Sequence, residues 1–452
     1  MRVGTSVALL MLGSGCSDHD DGASDGLAGA GSGSAGSDGV SAGNATGAAD
    51  GSATAATSDP GGTSEGSSEG SGTSTTGNVD RPLGCNPAER PLSPSEQMLV
   101  DMPADSWLRI PQGYRAVCDD TFELEWHLVE GCSAVINDWS GGAWDPGRRQ
   151  MLLWGGGHGG YAGNEVYGFD VPTFTWSRLT EPSHGPYDRD PLDDGQPVSR
   201  HTYNGLVWID HLDQMLAWGG SRAIDGVGTN VTWLFDPAST TWVNPPGTNV
   251  PGPAYDASLV YDPASQHVFV KVPGGPLYEL DPDTNAWTLL NDMGHPPYWP
   301  RYYGGNPGTA IDPNRGLVWF VGGGQYLVWD IAAHDAVTNE WVTTGAGMFD
   351  NGLAEQYPEQ AFTSGGGDVI LATDPGFAYD PTVDQMVAWL GGGPYVLDLA
   401  TKAWTRKSGT DAPVDDLAYG SFGRWRYLCE YNVFILVNSM DDVYFYKHTA
   451  GA

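Results

Sequence analysis

Hydrophobic positions in this chain come in short runs set off by glycine and polar turns. From Met151 onward an apolar run ends in two or three glycines, an aromatic-rich run ending in Asp follows, and a lone Trp closes the unit. The copies are residues 151–154, Gly155-Gly156-Gly157, 165–170 and Trp176; then 215–218, Gly219-Gly220, 231–236 and Trp242. Next come 268–272, Gly274-Gly275, 277–281 and Trp287, followed by 317–321, Gly322-Gly323-Gly324, 326–330 and Trp341. The last complete copy is 386–390, Gly391-Gly392-Gly393, 395–398 and Trp404. An Asp at a tight turn precedes each copy, Asp262-Pro263 most clearly, so one unit is four short strands.

Four antiparallel strands make a twisted blade that cannot bury both faces alone, so blades stack around an axis. Glycines let the second strand bend where neighbouring backbones approach, and the Trp packs against the adjacent blade. The unit resembles the kelch motif and, more broadly, the galactose-oxidase-like β-propeller. That resemblance implies an all-β propeller. After Trp404 one more set remains, residues 426–430, 433–438 and 443–446, with no closing Trp. The missing strand reads ahead of the first unit, as Ser106-Trp107-Leu108-Arg109-Ile110. Six blades are expected, the last shared between the two ends of the chain, a closure that removes exposed edges. Seven blades are the alternative, because residues 345–366 have room for a degenerate unit.

Ahead of the propeller, assigned to residues 105–452, the chain changes character. Residues 1–16 read as a bacterial secretion signal: one Arg, an apolar run at 7–12 too short to span a bilayer, and small residues before Cys16. Leu12-Gly13-Ser14-Gly15-Cys16 resembles a lipobox, which implies lipidation of Cys16, although Gly13 stands where a large apolar residue is usual. Residues 17–80 are almost entirely Gly, Ser, Ala, Thr and Asp and cannot offset their ordering entropy, so a disordered tether is expected. Within residues 81–104, Ser93-Pro94-Ser95-Glu96 reads as a helix start running to Val100. A monomer anchored by lipid at a bacterial cell envelope or surface is expected.

The formal net charge is −36; ten acids and one Arg among the first eighty residues contribute −9 and leave −27 for the rest. Such acidity argues against nucleic acid as a partner. Beyond Cys16, the four cysteines Cys85, Cys118, Cys132 and Cys429 are an even set with three possible connectivities. Cys118 and Cys132 flank one loop and are the expected pair, which would leave Cys85 for Cys429; no spacing resembles a zinc site.

Because strands alternate in direction, the loops leading into the inner strands and the loops after the glycines open on one mouth of the central channel. That mouth is the default binding site. The first set of loops supplies Asn137, Asp138 and Trp139; Arg200, His201 and Tyr203; Tyr255 and Asp256; Arg301, Tyr302 and Tyr303; and Arg424, Arg426 and Tyr427. The second adds His158, Tyr161, Asn164, Arg222, Gln325 and Tyr395. Arginine concentrated there, in so acidic a domain, predicts a cationic patch and an extracellular anionic carbohydrate as ligand. The glycine loop at 155–165 lacks the Lys-Ser/Thr end of a phosphate loop and leads into a strand, so His158, Tyr161 and Asn164 fit a saccharide better than a nucleotide.

Two other functions remain open. In a polysaccharide lyase, Arg200 or Arg301 would neutralise a uronate carboxylate, with His201 as base and Tyr203 as acid. A protein-interaction scaffold is the third reading, since kelch propellers often are scaffolds. The copper chemistry of galactose oxidase does not carry over, because it needs a Tyr crosslinked to Cys and only Cys429 reads near this mouth. No metal or cofactor is expected.

Overall fold

Each recurring unit folds into a four-stranded antiparallel sheet. The computed structural model describes residues 90–118, 126, 128–272, 275–291, 307–341, 365–413 and 420–451, all within a unit spanning Gly77–Ala452. The first blade is Gly141–Asp145, Gln150–Trp154, Tyr167–Asp170 and Thr175–Arg178. The second is Leu206–Ile209, Gln214–Ala217, Trp233–Asp236 and Thr241–Val243. The third is Ser258–Asp262, His267–Lys271, Leu277–Asp281 and Ala286–Asn291. The fourth is Gly308–Asp312, Leu317–Gly322, Gln325–Asp330 and Asp335–Trp341. The fifth is Gly376–Asp380, Gln385–Trp389, Tyr395–Asp398 and Ala403–Arg406.

The sixth sheet joins distant parts of the chain. Trp425–Leu428, Val433–Leu436 and Val443–Lys447 are completed by Ser106–Ile110, which runs antiparallel to Val443–Lys447 with Ser106 opposite Lys447 and Ile110 opposite Val443. First strands of successive blades touch around a closed cycle, and the sixth touches the first. The protein is therefore a six-bladed β-propeller. Direct contact between the first strands of the fourth and fifth blades leaves no place for a seventh blade between them, whatever the composition of residues 345–366 suggests.

Burial explains why blades rather than layers form. Apolar clusters among the described residues sit at all six blade interfaces, as where Val207, Leu216 and Trp218 of the second blade meet Leu259, Val268 and Trp287 of the third. The tryptophans stitch these interfaces: outer-strand Trp242 lies 4.8 Å from Trp154 of the preceding blade, and Trp287 lies 4.8 Å from Trp218, centroid to centroid. Such pairs add to simple area burial. Turn residues stitch the rim, where Arg148 bonds Asp145 of its own turn and, at 2.6 Å, Asp213 of the next blade.

One helix, α1 (Pro94–Val100), docks beside the first and sixth blades. Ser93 caps it by a capping box, and the Glu96 carboxylate, fully buried, accepts from the Ser93 N–H, Arg90, Arg149 and the Tyr431 hydroxyl. Cys118 and Cys132 are disulfide-bonded with Cα atoms 5.6 Å apart. Cys429 is also in a disulfide, but Cys85, its expected partner, lies outside the described residues, as do Cys16 and the whole of residues 1–89.

Candidate functional site

The expected mouth is the end of the ring where the glycine loops lie, and most of its arginines serve the fold. Arg200 is fully buried: its guanidinium bonds Asp190 at 2.6 Å, donates to Val198 O and Gly219 O, and sits 5.2 Å from the Trp154 ring. Arg424, also fully buried, donates to Ile136 O at 2.6 Å, Val135 O, Ser421 O and Gly420 O. Arg222 is paired with Asp225 at 2.5 Å. The cationic patch expected there is thus replaced, among the described residues, by internal ion pairs and carbonyl contacts. A guanidinium leaving water inside an acidic ring needs such partners.

Other expected ligands are likewise committed. Tyr161 faces the core with its hydroxyl 2.6 Å from Glu165 Oε1, and every polar atom of the Asn164 amide is bonded, to Ser183 and Pro197 O. Tyr395 donates to Asp368 at 2.6 Å. Gln325 is buried, and Tyr255 is 49 % exposed. Arg301, Tyr302 and Tyr303 lie outside the described residues.

What this mouth does bring together is His158, His201, Asp138, Trp139 and Tyr203. The buried His201 ring stands 4.7 Å from Trp139, 5.9 Å from Tyr203 and 6.1 Å from the exposed His158, centroid to centroid. Its Nε2 has no hydrogen-bond partner and lies 3.9 Å from Asp138 Oδ2. Burial, with His158 adding, pushes the His201 imidazole down to about 3; burial and the nearby Glu130 push the Asp138 carboxyl up to about 7. Gly157, at φ +49°, holds the glycine loop against this histidine: a Cβ there would meet His201 N at 2.0 Å.

The cavity itself lies at the opposite end of the channel, where each first strand turns into the second. It has a volume of about 250 Å³ and is walled by the penultimate residues of the six first strands: Trp144, Trp208, Tyr261, Ile311, Tyr379 and Tyr427. Tyrosine hydroxyls are fixed at the wall: Tyr261 bonds His211 of the preceding blade, Tyr379 takes a bond from Asn314 and gives one to Asp384, and Tyr427 donates to Asn432. The rings are thereby held before any ligand arrives.

Polar groups punctuate this aromatic wall. Asp210 stands exposed at the rim and Glu430 is half-buried beside it. Desolvation raises the Glu430 carboxyl to about 7 against the opposing pull of Arg149 and the Trp144 indole. Arg426 lines the inner end; one guanidinium nitrogen donates to Gly142 O at 3.1 Å and Leu206 O at 3.3 Å, while its buried Nε has no partner. Burial lowers Arg426 and Arg424 to about 10 each, so both stay charged at neutral pH, whereas the buried Asp374 between them is raised by desolvation.

Of the residues singled out from the sequence for the binding mouth, Arg426 and Tyr427 line this cavity. The aromatic ring was missed, though its signal was present: a large apolar side chain recurs one place before each first strand ends. Cys429, read near the other mouth, also lines this one. No group of three or more His, Cys, Asp or Glu side chains among the described residues is placed to hold a metal ion.

Fold and cavity together define a six-bladed β-propeller with an aromatic axial pocket. No protein-family model matches the chain, and no curated protein matches it. Some solved structures resemble the chain at a distance. A structural-genomics protein of unknown function from Bacteroides thetaiotaomicron is 10% identical with a TM-score of 0.43, the match covering 76% of each chain. A chain of the mitotic checkpoint complex is 10% identical over 77% of this chain and 95% of its own, with a TM-score of 0.41. A chain of the nidogen/laminin complex is 11% identical over 62% of this chain and 82% of its own, with a TM-score of 0.37. Likenesses this remote say nothing about function.

Proposed function

We propose that this propeller is a kelch-type binding domain that takes an acidic saccharide in its axial cavity, displayed outside the cell on the tether of residues 17–80 and anchored through Cys16. The observation that supports it most is the cavity's composition: aromatic walls, the Arg426 guanidinium at the inner end, and carboxyl groups toward the rim. A pyranose ring presents an apolar face of C–H groups that lies on aromatic rings, and its hydroxyls bond carboxyl groups such as those of Glu430 and Asp210. A uronate carboxylate completes the set by facing Arg426. The ligand class expected from the sequence is kept, and its position moves to the other mouth.

Calorimetric titration with uronic-acid oligosaccharides tests the proposal. Arg426→Gln is expected to weaken binding by about 1.5–3 kcal/mol, the range for a hydrogen bond to a charged group. Because Arg426 also holds backbone carbonyls, Trp144→Ala, which removes one wall, is the companion variant. Retention of full affinity by a folded Trp144→Ala protein would remove the cavity from consideration. For the alternative, a lyase at the other mouth, the supporting observation is the neutral, unpartnered His201 beside Asp138 and Tyr203. It requires unsaturated products, absorbing in the ultraviolet, that vanish with His201→Ala. Cys16→Ala is expected to release the protein from membranes, and fatty-acid labelling that survives the change would rule out the anchor.

A further inference from the structure

The inner end of the cavity is closed by side chains that cross the axis. In a ring of six, the second and fifth blades stand opposite one another. Asn204, at the start of the second blade, bonds Asp374, at the start of the fifth, and gives a second bond of 2.8 Å to Pro307 O ahead of the fourth. A hydrogen bond between opposite blades passes through the channel itself, so nothing can thread past it. The remaining blades join the same layer: Arg426 of the sixth reaches Gly142 of the first and Leu206 of the second, and Ser258 of the third donates to Pro307 O at 3.1 Å.

This layer is packed as well as bonded. Asn204 is 2 % exposed, and Asp374 and Ser258 are wholly buried. At Gly423, φ +76°, a Cβ would lie 2.6 Å from an Arg426 guanidinium nitrogen and 3.2 Å from Asn204 Oδ1, so even one methyl group has no room. Among the described residues this layer closes the inner end, and the cavity is a blind well open where the first strands turn.

We infer that the well receives the terminal residue of a saccharide chain and excludes its interior, an inference that rests on the acidic-saccharide reading above. An internal residue has two glycosidic linkages, and both would have to leave through one opening; a terminal residue has one. Size agrees, since about 250 Å³ lies below the roughly 300 Å³ at which pockets for drug-sized ligands begin. Depth also places the terminal carboxylate next to Arg426, while the following residues pass the rim at Asp210 and Glu430.

The test is a titration of the full protein with galacturonate, glucuronate and mannuronate oligomers of one to six residues, the hexamers also prepared with a bulky group on the reducing end, the non-reducing end, or both. Affinity per molecule is expected to level off by the dimer. A bulky group on one particular end should weaken binding by at least about tenfold, the other end should tolerate it, and the doubly blocked hexamer should behave like the weaker of the two. A doubly blocked hexamer that binds as well as the free one overturns the inference and leaves the acidic-saccharide reading intact. If no unblocked oligomer of the three series binds, that reading fails and this one fails with it.

Discussion

Glu430 shows how one carboxyl group can set the working range of a cavity. It is neutral below about pH 7 and charged above it, chiefly through desolvation. A uronate entering the well meets a neutral hydrogen-bonding group at low pH and a like charge at high pH, so binding is expected to weaken as pH rises through 7. Asp210 is exposed, so solvent screens its charge and Glu430 governs the slope. Glu430→Gln should flatten the binding profile between pH 6 and 8, within about a unit of that value. Stability follows the same sign: a carboxyl raised in the fold destabilises it as pH climbs from the ordinary value of 4.5 toward 7, and the variant should lose that part of the decline in melting temperature. At this scale the sequence was half legible. Arginine clustering was visible, but whether Arg200 or Arg424 faces ligand or core depends on partners such as Asp190 and Ile136 O that no local pattern reveals.

The elements were far easier to read, because strands, glycine bends and closing tryptophans repeat and each repeat reinforces the others. The Glu96 clasp is the part that repetition could not show. The capping pattern marks Glu96 as a helix N3 residue, yet its carboxylate also reaches Arg149 of the first blade and Tyr431 of the sixth. Desolvation works against that charge, but the bonds from Ser93, Arg90, Tyr431 and Arg149 outweigh it and hold the carboxyl at about 2. Glu96→Gln is expected to cost about 3 kcal/mol, because it leaves buried partners uncompensated. Sign and window are set by the depressed value: the stabilisation is complete above the ordinary 4.5 and fades as pH falls toward 2. Acid melts of the variant should therefore converge on those of the parent, and parallel curves down to pH 2 would count against the clasp.

For the whole molecule, the determining feature is the sheet built from both ends of the chain. Removing residues 1–110 strips Ser106–Ile110 from Val443–Lys447 and exposes the apolar surface around Trp107, which stands 5.0 Å from Tyr446. A melting temperature lower by several degrees or more is expected for that deletion, and none for loss of residues 17–80 alone; equal melts for the two would count against this role for the strand. Blade number and the shared sixth sheet could be read from the orphan Trp107 and the missing last Trp. Which mouth carries the cavity could not, because it depends on the cross-axis layer, whose members lie far apart in sequence and belong to different blades.

Ser106 and Lys447 are register partners, so the chain leaves the ring beside the point where it joined it. Blade order in such a molecule is a circle written as a line. No blade is first except by where the gene happens to begin, and a permuted chain opened at another inter-blade loop would specify the same wheel, with the same well at its hub.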